Sequence, residues 1–182
     1  MIPRAAALVL VLALALASCV PWTVRPIDDT KDKPAANPAA LADSVWAAVL
    51  SSAVDARAVL ANPPNARYVT VKGEGVITAV DRTSRTGLAL ISVPPEISIQ
   101  IGPVLRGTSL RDATGLVRFS DFTNQLQYAD AANALNDRVL KTVLAPVENS
   151  LKEGERISFV GTAEPSLREI VPVKLTVEER RP

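Results

Sequence analysis

The sequence has no histidine, one cysteine and few aromatic residues, which make up 4% of its 182 residues. Without an imidazole group the chain cannot build a Ser-His-Asp or Cys-His catalytic arrangement, or a zinc site of mixed histidine and cysteine ligands. A single cysteine cannot form an internal disulfide. With so few aromatic residues, the core of a folded domain must be mostly aliphatic. These absences remove familiar hydrolytic and zinc-dependent chemistries from the candidate functions, and no metal or cofactor is expected.

Net charge is also almost absent. The sequence holds 20 lysines and arginines against 19 aspartates and glutamates, and loss of the first 18 residues would remove only Arg4 from this balance. A neutral domain exerts no general attraction on nucleic-acid phosphates or anionic lipids, so nucleic acid is not expected as a partner. The 48% hydrophobic and 21% charged residues are typical of a globular chain, and the length fits one domain preceded by a leader.

The leader, residues 1–18, has the pattern of a lipoprotein signal peptide. Its apolar run, Ala5 to Ala17, is shorter than the roughly 20 residues that span a bilayer but fits a signal-peptide apolar region. The run ends in Leu16–Cys19 (LASC), which resembles the motif read by lipoprotein signal peptidase. The sequence therefore predicts cleavage before Cys19 and lipidation of its thiol. The predicted recognition residues are Leu16, Ala17 and Ser18.

Two alternatives for this leader stay open, namely a buried N-terminal helix with an incidental cysteine and an uncleaved membrane anchor. Val20, and not an aspartate, follows Cys19, which favours sorting to the outer membrane over retention in the inner one.

Residues 20–40 carry four prolines among several charged residues, a composition that disfavours helix and strand. We expect residues 19–40 to be a tether that holds the protein at the periplasmic face of a membrane.

Residues 41–182 are predicted to form one globular domain of alternating helical and strand segments. Apolar residues at helical spacing predict the helices, with Trp46 as a core anchor of the first, and alternating apolar residues predict the strands. Gly73 and Gly75 predict a bulge or sharp bend in the first strand, and Pro172 predicts that the last strand lies at a sheet edge. The predicted elements are helix 41–60, a β-rich region 68–120 with strands 68–81, 88–93 and 97–101, helix 123–145, and strands 156–162 and 170–178.

Three strands, a helix and two strands follow one another in the order of an OB-fold, a small antiparallel barrel. The predicted fold class is therefore α+β and mostly β, with an OB-fold-like barrel preceded by an amphipathic helix. The alternative is an open antiparallel sheet with both helices on one face.

Residues 100–136 carry a dense set of polar side chains within this predicted structure. The functional interpretation is that several of them line one groove, where amides, carboxylates and guanidinium groups bind sugar hydroxyls or a partner's backbone. The structural interpretation gives these residues roles in the fold. Asp121 or Thr123 would be the N-cap of the second helix, and Arg111 and Asp112 would form a local ion pair. Asn136 would hydrogen-bond to backbone groups. The candidate binding residues are Gln100, Arg106, Thr108, Arg111, Asp112, Asp121, Asn124, Gln125 and Asn136, of which Arg106, Arg111, Asp112, Asn124 and Gln125 are expected to share the groove.

Several segments resemble a bacterial family of predicted periplasmic lipoproteins, domain of unknown function 2291 (DUF2291). They are Lys72–Asp81 (KGEGVITAVD), Ile99–Ala113 (IQIGPVLRGTSLRDA), Phe119–Gln125 (FSDFTNQ), Ala134–Asn136 (ALN) and Arg156–Gly161 (RISFVG). The LASC motif also fits this family, and the resemblance extends over nearly the whole mature chain. The resemblance implies a lipid-anchored periplasmic location and, through genes often found beside sugar ABC transporters, a link to sugar uptake. It implies no catalytic residues.

Three functional hypotheses follow. The favoured one is a non-enzymatic accessory or binding module that contacts an ABC transporter component or a solute-binding protein, because it explains the tether, the neutral charge and the missing catalytic groups. The second is a structural envelope lipoprotein without a small-molecule ligand. The third is a glycan hydrolase that uses Asp112 and Asp121, which would have to lie roughly 5 to 9.5 Å apart.

Overall fold

The computed structural model describes residues 38–93 and 96–178. The predicted signal peptide, the lipidation motif Leu16–Cys19 and most of the predicted tether lie outside this range. No helix among the described residues is long and apolar enough to cross a membrane.

The described chain contains four helices, six strands and three shorter or irregular helical turns. In order, they are α1 (Pro38–Ser52), β1 (Val54–Asp55), α2 (Ala56–Ala61), β2 (Val69–Asp81), β3 (Leu88–Ile91), β4 (Ile97–Gln100), α3 (Ser109–Asp112), a 3₁₀ turn (Phe119–Asp121), α4 (Gln125–Val139), a π-helical turn (Leu140–Leu144), a 3₁₀ segment (Ala145–Ser150), β5 (Arg156–Ala163) and β6 (Val171–Glu178).

The strands form one sheet in the order β4-β3-β2-β5-β6, in which all neighbours are antiparallel. Strand β2 is long enough to pair with β5 over residues 69–76 and with β3 over residues 77–81. The two outer strands meet at a parallel bridge, where the N–H of Gln100 donates to the carbonyl of Ile170 and the N–H of Ile170 donates to that of Ser98, both at 2.9 Å. The order of three strands, a helix and two strands is confirmed, and this contact between β4 and the start of β6 is what an OB-fold barrel requires.

Of the two features predicted at Gly73 and Gly75, a bulge or a sharp bend, the bulge does not occur. Pairing with β5 is continuous across both glycines, and the register shift of β2 lies between Ile77 and Ala79, against β3. Gly75 serves close packing instead, because a Cβ atom there would lie 2.5 Å from Cγ2 of Ile91. After the bridge at Ile170, β6 pairs with β5 alone, so Pro172 lies at a sheet edge, as predicted.

The first predicted helix is divided into two. Val54 and Asp55 pair in parallel with Val71 and Lys72 of β2, which interrupts the helix after Ser52. The carboxylate of Asp55 then accepts the N–H of Arg57 at 2.8 Å and caps α2. Helix α1 also begins at Pro38, so the last three residues assigned to the tether are helical.

The second predicted helix also begins and ends elsewhere than expected. Its N-cap is Asn124, whose side-chain oxygen accepts the N–H of Gln127 at 2.9 Å, so the assignment of this role to Asp121 or Thr123 is wrong. Asp121 instead accepts the N–H of Arg118 at 3.0 Å and caps the 3₁₀ turn. Regular α-helix ends at Val139, and π-helical and 3₁₀ turns carry the chain on to Ser150.

The core is aliphatic, as predicted. Phe159 is the one aromatic residue among the buried hydrophobic side chains of the described chain. Leu110 of α3 and Leu135 and Val139 of α4 belong to the same core as the inner faces of the strands. Trp46 is half-buried at the margin of this core, with the guanidinium carbon of Arg138 4.6 Å from its ring centre. The apolar residues of α3 and α4 thereby position the polar side chains between these helices.

Candidate functional site

Arg111 and Asp112 form a doubly hydrogen-bonded ion pair, as the structural interpretation predicted. Nε of Arg111 donates to Oδ1 of Asp112 at 2.6 Å, and Nη2 donates to Oδ2 at 3.0 Å. The side chains are 10% and 19% exposed, so solvent screens the pair weakly. Two further donors reach the same carboxylate, namely Thr108 Oγ1 at 2.7 Å and the Tyr128 hydroxyl at 3.1 Å.

These bonds control the protonation of the cluster. Burial alone would raise the pKa of Asp112, but the hydrogen bonds from Arg111 and Thr108 outweigh it and hold the pKa below its ordinary value. Burial would lower the pKa of Arg111, but the hydrogen bond and the charge of Asp112 raise it. Burial and the hydrogen bond to Asp112 raise the pKa of the Tyr128 hydroxyl. The three groups therefore stay as carboxylate, guanidinium and neutral phenol at neutral pH.

The guanidinium of Arg111 also joins α3 to α4. Its central carbon lies 3.6 Å from the ring centre of Tyr128, and Nη1 donates to the Tyr128 carbonyl at 3.0 Å. Phe119 and Phe122 pack against the same tyrosine ring, each with its ring centre 5.5 Å away. All three guanidinium nitrogens of Arg111 donate to groups of the protein, and so does the Tyr128 hydroxyl, so the arrangement is that of a structural joint between the two helices.

A second set of bonds holds the loop between β4 and α3. Gln100 is 2% exposed, and its side-chain oxygen accepts the N–H of Arg106 at 2.7 Å. Its amide nitrogen donates to the Arg106 carbonyl at 3.3 Å and to the carboxylate of Glu169 at 3.1 Å. From α4, the amide of Asn136 donates to the carbonyl of Gly107 at 3.3 Å. Gln100 therefore connects this loop with the β5–β6 loop, which carries Glu169.

The candidate binding residues do not share one groove. Arg111 and Asp112 line a cleft of about 650 Å³, here called the Arg111 cleft. Gln100 and Arg106 line a separate cleft of about 330 Å³, the Arg106 cleft. Tyr68 borders both clefts, and its hydroxyl lies 3.2 Å from that of Thr108. Asp121, Asn124, Gln125 and Asn136 are not among the lining residues of either cleft, so the predicted common groove is wrong.

Four residues of the Arg106 cleft come from the β5–β6 loop, which the sequence interpretation left out. They are Glu164, Ser166, Arg168 and Glu169. A signal for them was present, because the OB-fold order predicts that the loop between the fourth and fifth barrel strands contributes to the binding surface. The polar segment EPSLRE between two well-marked strands fills that position.

Asp112 and Asp121, the carboxylate pair proposed for hydrolysis, both accept hydrogen bonds from groups within the protein. Asp112 accepts four hydrogen bonds, which fills the acceptor capacity of a carboxylate, and its lowered pKa is the opposite of what a general acid needs. Asp121 accepts bonds from the Arg118 N–H and the Ser120 hydroxyl. Among the described residues, no group of three or more potential ligands is placed to hold a metal ion.

Comparison with known proteins agrees with this architecture. A family model described as predicted periplasmic lipoprotein (DUF2291) matches residues 61–176, which include β2 to β5, most of β6 and the lining residues of the Arg106 cleft. The crystal structure of an OB-fold protein from Thermotoga maritima is similar at 18% identity with a TM-score of 0.58, covering 80% of this chain and 100% of the other. At that identity the likeness shows the fold alone. A search of curated proteins finds no significant match.

Proposed function

Because this chain belongs to the DUF2291 family of predicted periplasmic lipoproteins, we propose that it is a tethered, non-enzymatic binding module that acts through the Arg106 cleft. In this proposal, lipid on Cys19 anchors the protein in a membrane, with the outer membrane favoured by Val20. The family resemblance implies genes beside sugar ABC transporters. We therefore propose a role in sugar uptake, in which the protein contacts an ABC transporter component or its solute-binding protein.

The observation that carries the proposal is the connection that Gln100 makes between the two walls of the cleft. One buried side chain holds the main chain of Arg106 on one wall and the carboxylate of Glu169 on the other. The N–H of Gln100 also donates to Ile170, next to Glu169, where the barrel closes. A cleft whose walls are held in this way needs little ordering when it binds, which favours affinity.

The cleft also offers charged groups that the fold does not use. Among the described residues, the side chains of Arg106, Arg168 and Glu164 make no hydrogen bond or ion pair, and all three are exposed. Arg111 differs, because each of its three guanidinium nitrogens donates to a group of the protein. The Arg106 cleft therefore combines free charged groups with walls that Gln100 holds together. In the Arg111 cleft, Arg111 and Asp112 are used by the fold, and the guanidinium carbon of Arg67 lies 5.2 Å from the ring centre of Tyr68.

The chemistry of the cleft fits a ligand that both donates and accepts hydrogen bonds. Guanidinium groups donate and carboxylates accept, and sugar hydroxyls or the peptide groups of a partner can do both. At about 330 Å³ the cleft lies at the lower end of the range for small-molecule sites. It would accept a single sugar ring or a short extended segment of a partner protein.

The test is site-specific photocrosslinking of the lipidated protein in living cells. A photoreactive residue replaces Ser166 at the rim of the Arg106 cleft, and the control places it at Lys152, an exposed position that does not line this cleft. We expect the first position to capture a solute-binding protein or a permease subunit, identified by mass spectrometry. The double variant Arg106→Ala/Arg168→Ala should abolish that capture without changing protein abundance.

Two outcomes would contradict the proposal in different ways. Capture of abundant envelope proteins alone, equal at both positions and unaffected by the double variant, would favour the structural-lipoprotein hypothesis. A small-molecule arm of the experiment measures the retention of radiolabelled sugars by equilibrium dialysis. Retention that is the same for the native protein and the double variant would exclude the Arg106 cleft as a sugar site.

A further inference from the structure

A third cleft, of about 350 Å³, lies over strands β2, β5 and β6 and shares no lining residue with the Arg106 cleft. Three basic side chains line it, namely Arg57 from α2, Lys72 from β2 and Lys174 from β6. We call it the Lys72 cleft. The function proposed above makes no use of it.

The register of the sheet explains why the two lysines share a face. Val160 of β5 lies directly opposite Lys72 on one side and Lys174 on the other. Residues that are directly paired across antiparallel strands project to the same face of the sheet. With neighbouring strands about 4.8 Å apart, the two Cα atoms are separated by about 10 Å, so two long lysine side chains can converge on one small group above Val160.

The cations of this cleft have no partner in the part of the chain that the structure describes. Among the described residues, Arg57, Lys72 and Lys174 form no side-chain hydrogen bond and no ion pair, and all three are exposed. Asp55 also lines the cleft, but its carboxylate is engaged as the N-cap of α2. Glu74 is the other carboxylate among the described lining residues, so three cations stand against two carboxylates and the cleft carries a net charge of +1.

We propose that the Lys72 cleft binds the phosphate group of a phosphate ester. Lysine ammonium groups act as point charges toward phosphate oxygens, and a guanidinium adds a planar pair of donors. Ser158, on β5 opposite Glu74, supplies a hydroxyl to the same cleft. Glu74 lies two residues from Lys72 on the same face of β2, where its carboxylate can accept a hydrogen bond from a hydroxyl or amino group of the ester's alcohol part.

Two sources could present this chemistry to a lipid-anchored periplasmic protein, namely a soluble phosphorylated molecule and a phospholipid head group. The experiment measures the rate at which the lysines of the full lipidated protein are acetylated, residue by residue, using mass spectrometry. Three samples are compared. Two contain the protein in a phosphate-free maltoside detergent, one without ligand and one with sn-glycerol 3-phosphate. The third contains the protein in nanodiscs of phosphatidylglycerol. Lys152, an exposed lysine outside this cleft, is the internal reference, and sodium chloride at matched ionic strength controls for screening.

We expect Lys72 and Lys174 to be protected together while Lys152 is not. At a ligand concentration four times the dissociation constant, four fifths of the sites are occupied and acetylation slows about fivefold. Protection by glycerol 3-phosphate indicates a soluble ligand, and protection in nanodiscs alone indicates a head group. The variant Lys72→Gln should remove the protection of Lys174 in either case. Unchanged acetylation rates at Lys72 and Lys174 would overturn the proposal. So would a slowing of Lys152 equal to theirs, or an equal slowing of the two lysines when sodium chloride replaces the phosphate ligand.

Discussion

Nε of Arg111 donates to Oδ1 of Asp112, the next residue along the chain, at 2.6 Å. Side chains at consecutive helical positions do not ordinarily face each other. Here both turn toward Tyr128, whose ring stacks on the guanidinium and whose hydroxyl donates to the carboxylate. The pair is thereby a fixed part of the contact between α3 and α4. This joint, the buried Gln100 of β4, Gly161 of β5 and the N-terminal Cys19 can each be tested by substitution.

Replacing Arg111 with alanine should destabilise the protein. The change leaves Asp112 largely buried without its counter-ion and removes the stacking on Tyr128, so the free energy of unfolding should fall by about 3 kcal/mol. Urea unfolding followed by circular dichroism measures the loss. Arg106→Ala is the matched control, because that side chain is exposed and unpartnered, and its effect should stay within about 0.5 kcal/mol. Equal losses in the two variants would show that the joint contributes little.

The contribution of Asp112 should depend on pH. Its pKa in the folded protein is lowered, so the stability it contributes is fully present above the ordinary aspartate pKa of about 4 and is lost as pH falls through the lower folded value. At pH 7 the variant Asp112→Asn should be less stable than the native protein by about 2 kcal/mol. We expect this difference to shrink below pH 4. A difference in unfolding free energy that is constant from pH 7 to pH 3 would contradict the assignment.

Substitution of Gln100 by glutamate should destabilise the barrel increasingly as pH rises. The new carboxylate could still accept the Arg106 N–H, but it cannot donate to the Arg106 carbonyl, and it would lie against Glu169 in a nearly fully buried position. Because ionisation is disfavoured in the folded state, the loss should be small near pH 4.5 and reach about 3 kcal/mol at pH 7. Gln100→Ala, which introduces no charge, should show a loss that does not vary with pH.

Gly161→Ala should be more harmful than Gly107→Ala. A Cβ atom at Gly161 would collide with the carbonyl oxygen of Val171 on the paired strand, and backbone cannot move aside as a flexible side chain can. We expect a loss of about 2–3 kcal/mol, the cost of overpacking a dense interior. At Gly107 no atom of the described residues lies within 4 Å of such a Cβ, and the cost there is confined to its φ of +89°, about 1 kcal/mol. Thermal unfolding of the two variants gives the order.

Replacing Cys19 with serine should prevent lipidation and processing by lipoprotein signal peptidase. We expect the variant to remain as a larger precursor on gels, and metabolic labelling with a fatty acid should be lost. Inhibition of the peptidase in cells that make the native protein should produce a precursor of the same size as the variant. An unchanged size under inhibition would show that the leader is not processed in this way.

Features of the strands that depend on neighbouring residues were predictable from the sequence. Alternation of apolar side chains placed all five barrel strands within a few residues of their observed bounds, because the side-chain period of two is a local property. The predicted bounds of the helices were less accurate. A helical pattern continues through Val54 and Asp55, but their pairing with Val71 and Lys72 is a contact across the chain that the local pattern does not contain.

The candidate site was also predictable only where its contacts are local in the sequence. Local chemistry was sufficient to predict that Arg111 and Asp112 form an ion pair, since they are adjacent. It was not sufficient to predict that Tyr128 completes the cluster, or that Asn124 and Gln125 lie away from both clefts. The position of Glu169 beside Gln100, 69 residues earlier in the chain, depends on the closure of the barrel.

The sequence by itself determined the family, the aliphatic core, the order of strands and helices along the chain and the predicted lipid anchor, because each is recorded in composition, short-range period or a contiguous motif. Only the tertiary structure decided which polar side chains are used by the fold and which are free. Whether a guanidinium is satisfied depends on groups brought to it by folding, and the sequence shows only that Asp112 is adjacent to Arg111. In the folded protein Arg111 also donates to the Tyr128 carbonyl and joins two helices, whereas Arg106 lines a cleft and has no side-chain partner among the described residues.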